Sequence, residues 1–182
     1  MLPQSPDMLR FVTADLAVNS LTILGTGVNY SAGARTGPSN LLTAVGATYS
    51  LTAAQSGSVI SLDTSTGQVI TLPAPVAGLN YRFITPVSVV ASGTYKIITS
   101  AGSVYLVGAI SYGILDTTPG AAPGPKFTAA NGSSHVAITM NGSTTGGLQG
   151  TVLQLDCVSA TIWHISGLVI ASGTISTPFA TS

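Results

Sequence analysis

From residue 47 onwards the sequence is a series of short segments in which apolar and small polar residues alternate at period two. Thr48 to Thr52 (TYSLT), Val59 to Asp63 (VISLD) and Gln68 to Leu72 (QVITL) set the pattern. Tyr81 to Thr85, Thr94 to Thr99, Val104 to Ile110, His135 to Met140, Thr151 to Cys157 and Thr161 to Ser166 continue it. Period two puts successive side chains on opposite faces of a pleated strand, and the β-branched and aromatic content suits that geometry. Turn chemistry separates the segments. Ser65-Thr66-Gly67 makes a tight connection, Pro73-Ala74-Pro75 withholds the amide hydrogens a ladder needs, and Asn131-Gly132 and Asn141-Gly142 bracket the His135 segment. Short strands at fairly even spacing, without sustained helical patterning, predict an all-β fold, an antiparallel sandwich or jelly-roll-like domain over residues 47–168.

Two flanking segments complete the organisation. Residues 1–46 lack strand alternation and end in GARTGPSN. Leu9, Val12 and Leu16 fall at helical spacing, but Pro3, Pro6, Gly25, Gly27, Gly33 and Gly37 interrupt any long element, so the segment reads as an extended arm in preference to a short helix. Residues 169–182 (VIASGTISTPFATS) form an uncharged tail expected to add a strand to a neighbour or to pack into an interface. Residues 116–132 (DTTPGAAPGPKFTAANG) read as one long Pro/Gly loop, a length usually tied to contact or function.

Charge is scarce. The 182 residues carry five Lys or Arg and five Asp, with no Glu and a net charge of zero. A folded monomer of 18.2 kDa exposes about 8,000 Å², so each charge is alone on roughly 800 Å², the area one partner gives to a standard interface. A surface so poor in charge suits a subunit of an assembly, since near-zero net charge favours association. The basic residues Arg10, Arg35, Arg82, Lys96 and Lys126 are scattered, so no patch for nucleic-acid phosphates is expected. The longest apolar stretch, Val104 to Leu115, is broken by Gly108, Ser111 and Gly113 and falls short of a membrane-spanning helix. The N-terminus, MLPQSPDMLRFV, has prolines and an aspartate where an export signal has a basic start and an apolar run.

The reactive residues show no spacing that predicts a catalytic constellation. His135 and His164 have no nucleophile elbow to serve, and both read as ordinary strand residues. Cys157 and His164, seven apart beside Asp156, lack the paired spacing of zinc ligands, and Cys157 reads as a small buried hydrophobe. Asp7, Asp15, Asp63, Asp116 and Asp156 are too dispersed for a calcium loop. The expectation is a protein that is not an enzyme, with no catalytic residue, metal or cofactor. Tyr49, Tyr81, Phe83, Tyr95, Tyr105, Tyr112 and Trp163 are spread over the strands in the manner of core and cross-strand packing.

The segment Leu51 to Ile84, LTAAQSGSVISLDTSTGQVITLPAPVAGLNYRFI, resembles a module that recurs in tailed-phage virion proteins. In that pattern Ser56-Gly57 turns the chain, Leu62 and Leu72 point inward, Pro73-Ala74-Pro75 leads away from the sheet, and Gly78 permits the bend before Tyr81-Arg82-Phe83. Leu155 to Gly167 (LDCVSATIWHISG) resembles the closing hairpin of the same module. The module is known from head decoration (cement) proteins and from tail-fibre proteins. The resemblance therefore implies a homotrimer on the outer surface of a phage capsid, bridging copies of the major capsid protein. Residues 1–46 are the candidate anchor, with Leu9, Arg10, Phe11 and Arg35 as capsid contacts. The alternative it leaves open is a receptor-binding module that recognises host-surface glycans through loop 116–132 or exposed tyrosines.

Overall fold

The alternating segments become strands of two mixed sheets. A computed structural model describes residues 41–42, 45–115 and 126–182, all within the Pro38–Ser182 unit. The first sheet contains β1 (Leu41–Leu42), β3 (Ser58–Ser61), β5 (Asn80–Ile84), β7 (Tyr105–Ile114), β8 (Lys126–Asn131), β10 (Val152–Ser159) and β11 (Ile162–Ala171). The second contains β2 (Thr48–Ser50), β4 (Gly67–Thr71), β6 (Thr94–Ile98), β9 (Ala137–Met140) and β12 (Phe179–Ala180). Their orders are β1-β3-β5-β10-β11-β7-β8 and β12-β9-β6-β4-β2. Inward side chains of both sheets meet in one core, which holds Ile60, Tyr81, Phe83, Leu153, Leu155, Trp163 and Ile165 from the first and Ile70, Tyr95, Ile97, Ile138 and Met140 from the second. Leu62 and Leu72 are buried, as the alternation requires.

The all-β expectation holds, and two sheets around one core are compatible with the expected sandwich, but the strand directions are mixed and not antiparallel throughout. β1, β3 and β5 are parallel neighbours, as are β2, β4 and β6, while β7 and β11 are also parallel. From β1 to β6 the chain changes sheet at every strand and winds as successive coils, each laid beside the last. A jelly roll, built of antiparallel Greek keys, is wound differently. The Ser65-Thr66-Gly67 connection is therefore a corner between sheets and not a hairpin. Gln68, buried there, accepts from the Asp63 and Thr64 amides (2.8 and 3.3 Å) and donates to the Gly46 carbonyl (3.3 Å). The corner stacks tightly on the next coil: Val90 N–H donates to Ser65 O (2.8 Å), and a Cβ at Gly67 would lie 2.5 Å from Thr94 O.

Four further differences follow from pairing that a local pattern does not contain. Lys126–Asn131, read as the end of a loop, is β8, paired antiparallel with β7 from Val107↔Asn131 to Tyr112↔Lys126. The Trp163 strand does not stop at Ser166; it runs through Gly167 (φ 148°) to Ala171, because a full-length parallel neighbour, β7, carries it on. The C-terminal tail adds its strand to its own subunit: Phe179 and Ala180 pair with Ile138 and Ala137. The first sheet also begins inside the segment read as the N-terminal arm, since Leu41 and Leu42 pair with Val59 and Ile60.

Candidate functional site

Leu9, Arg10, Phe11 and Arg35, the capsid contacts expected from the sequence, lie outside the described residues. So do residues 116–125, most of the segment read as a loop. What the described residues offer is a surface, and it is built by register. Across the outer face of the first sheet, β5, β10, β11, β7 and β8 align Ile84, Val152, Leu168, Ser111 and Phe127 in one row. The row beside it reads Arg82, Gln154, Ser166, Ala109 and Ala129, and the next reads Asn80, Asp156, His164, Val107 and Asn131. Phe127 is 72% and Leu168 40% exposed. Ile170 continues the apolar zone over Gly113, where a Cβ would lie 2.6 Å from Ile170 Cδ1. The face thus divides into an apolar part and a polar margin, where Gln154 Nε2 donates to Asp156 Oδ1 (3.0 Å) beside Arg82 and His164.

Phe127 and Leu168 were not singled out by sequence reasoning. Their signal was available in part: Leu168 is an apolar residue at a position whose alternation calls for a polar one, since Trp163, Ile165 and Val169 on the same strand are buried and Leu168 is out of phase with them. Phe127 sat in a segment read as loop, where alternation has no meaning.

Three tyrosines are tethers. Tyr81 Oη donates to Thr52 O (2.8 Å), Tyr95 Oη to Val87 O (2.8 Å) and Tyr112 Oη to Ser176 O (3.0 Å), with all three rings buried. Burial pushes the Tyr95 and Tyr112 hydroxyls up to about 12 and raises that of Tyr81. Each pins an irregular segment to the core, the role packing arguments assign to a buried tyrosine with a polar tip. Trp163 is fully buried against Tyr81, with ring centroids 5.8 Å apart. None of these four rings is a platform for a sugar.

The two Asn-Gly sites are turns with a shared chemistry. Asn131 Oδ1 accepts from the Ser133, Ser134 and His135 amides at 3.0–3.3 Å, while Gly132 takes φ 71°. Asn141 Oδ1 accepts from Ser143 and Thr145 (3.0 and 3.1 Å), with Gly142 at φ 72°. A short side-chain acceptor that folds back on the following amides is the physical reason Asn starts such turns. His135 is engaged structurally: its Nδ1 accepts from Asn131 N–H (3.1 Å), and its ring stacks on Phe179 at 5.6 Å. His164 is exposed on β11, opposite Asp156. Cys157 is buried, its Sγ 3.2 Å from Ser159 O, and burial raises its thiol above the ordinary value. Among the described residues no group of three or more His, Cys, Asp or Glu is placed to hold a metal ion. No helix among them is long and apolar enough to cross a membrane. In comparisons with known proteins, no family model, curated protein sequence or solved structure matches the chain.

Proposed function

We propose that the chain is a virion structural protein, a decoration or cement protein that binds the outside of a phage head as a homotrimer and bridges neighbouring copies of the major capsid protein. The observation that carries the reading is the outer face of the first sheet, where five aligned strands present one cation, Arg82, one anion, Asp156, and an apolar row. A sheet face of this kind works against other protein rather than against water. The resemblance of residues 51–84 to the phage module gives the assembly its class. In this reading the work is mechanical: no chemistry is performed, no cofactor is held, and each subunit resists outward pressure on the shell. The segment 1–46 supplies the anchor through Leu9, Arg10, Phe11 and Arg35. Three modest anchors joined in one trimer bind by avidity, without a strong single contact.

The test is addition of the purified full chain to heads assembled without it. Saturation at hundreds of copies per head is expected. A chain deleted of residues 1–40, or one carrying Ala at Leu9, Arg10, Phe11 and Arg35, is expected to lose most of that binding. Equal saturation by the altered chains removes the anchor; no binding by the full chain removes the decoration reading.

The successive coils β1 to β6 favour a second reading as a tail-fibre or receptor-binding module, since stacked parallel coils are how elongated, repeat-built proteins grow. Copy number per virion separates the two: a few tens or fewer belongs to a tail part.

A further inference from the structure

We infer that the outer face of the first sheet is a subunit interface, and that its occupant is a second copy of this chain. The inference deepens the reading above by naming the surface through which copies meet, and it rests on that reading for self-association. Three features of the face point to a copy of itself.

The first is charge. On the outward positions of β5, β10, β11, β7 and β8 the ionised groups are Arg82 and Asp156, one of each sign and both on the polar margin. A strongly acidic or basic partner finds no complement there. A surface with one cation and one anion carries no net charge to repel a copy of itself, and near-zero charge favours association.

The second is the position of the apolar residues. Ile84, Val152, Leu168 and Phe127 lie in one row that crosses five strands, interrupted only by Ser111. Gly113 lets Ile170 fold over β7 beside Leu168, so that the apolar surface is continuous. A continuous apolar row of this kind is what subunits of an assembly bury against one another.

The third is size. Five strands at about 4.8 Å spacing, with β7 and β11 ten residues long and β5 and β8 shorter, give a face of roughly 24 by 25 Å. That is about 600 Å² in projection, near the roughly 800 Å² each partner contributes to a stable interface. The edge of the face supports the same occupant. β8 carries Lys126 as its one charged residue and presents Phe127 at its rim, weak protection for an edge strand that works alone.

The experiment is the molar mass of the full chain in solution, measured by light scattering on a sizing column. Wild type is expected at a multiple of 18.2 kDa. Phe127→Glu, at a site exposed enough that folding does not depend on it, is expected at the single-chain mass with an unchanged far-UV circular dichroism spectrum. Leu168→Glu, in the middle of the face, is expected to do the same where it folds. A wild type at the single-chain mass overturns the inference, as does a Phe127→Glu variant that keeps the wild-type mass. A single-chain wild type whose Phe127→Glu variant loses head binding assigns the face to the shell and also overturns it. The two readings fail separately. A self-associated wild type that ignores heads removes decoration and leaves the interface. A single-chain wild type that coats heads does the reverse.

Discussion

Replacing Gly108 with Ala isolates what close strand contact contributes to this fold. Gly108 lies in the middle of β7 at φ 122°, opposite Ile165 of β11. A Cβ built there stands 2.1 Å from Ile165 O and 3.1 Å from its C and N. Carbon and carbonyl oxygen normally approach no closer than about 3.3 Å, so the two strands must part by roughly 1 Å. That stretches neighbouring ladder bonds beyond useful length, at about 1 kcal/mol for each bond lost. The positive φ adds about 1–3 kcal/mol for a residue with a side chain. The total is about 3–5 kcal/mol, which lowers the melting temperature by roughly 6–20 °C for a chain of this size. Gly78 is the control. Its φ is 96°, and a Cβ there meets nothing within 4 Å, so Gly78→Ala carries the conformational cost alone. Urea melts followed by Trp163 fluorescence compare the two, since Trp163 is the one tryptophan and is fully buried. Gly108→Ala is expected to be about 2 kcal/mol less stable than Gly78→Ala. Equal stabilities would refute the argument, because they would mean that β7 and β11 are not held at the distance that excludes a methyl group.

Two other outcomes follow from the tyrosine tethers. Tyr112→Phe deletes the hydrogen bond to Ser176 O and leaves that carbonyl without its partner, at about 1–2 kcal/mol; faster amide exchange is expected in residues 172–180, and unchanged exchange there speaks against the tether. In alkali, Tyr81, Tyr95 and Tyr112 have hydroxyls raised above the ordinary 10.0 by burial, so the unfolded chain releases protons first. Their contribution to stability is complete below pH 10 and declines as pH rises towards about 12, the value for Tyr95 and Tyr112. The tyrosinate absorbance of Tyr81, Tyr95 and Tyr112 is expected to appear together with loss of circular dichroism; ionisation of these three near pH 10 in a folded chain would contradict it.

The sequence determined most of the strands between residues 47 and 166 and the turns that separate them, because alternation and turn chemistry are local matters. A pleated backbone sends Ile60 and Leu62 one way and Ser61 the other whatever the strand pairs with. Asn131 and Asn141 fold onto the amides that follow them, within four residues of their own position. Direction of pairing was not legible. Ser65-Thr66-Gly67 suits a hairpin or a corner equally well, and the choice fell to Gln68 reaching Gly46 and to the close stacking of Gly67 on Thr94, contacts 22 and 27 positions apart. β8 was hidden for the same reason, since β7 stabilises it across a segment rich in Pro and Gly. The candidate interface depends most on tertiary structure. The scarcity of charge gave the expectation of a surface made for other protein without placing it, and Ile84, Phe127, Val152 and Leu168 come from four separate strands. Only the register of those strands turns four isolated apolar residues into one row, because a side chain's neighbours across a sheet are set by pairing and not by its place in the chain.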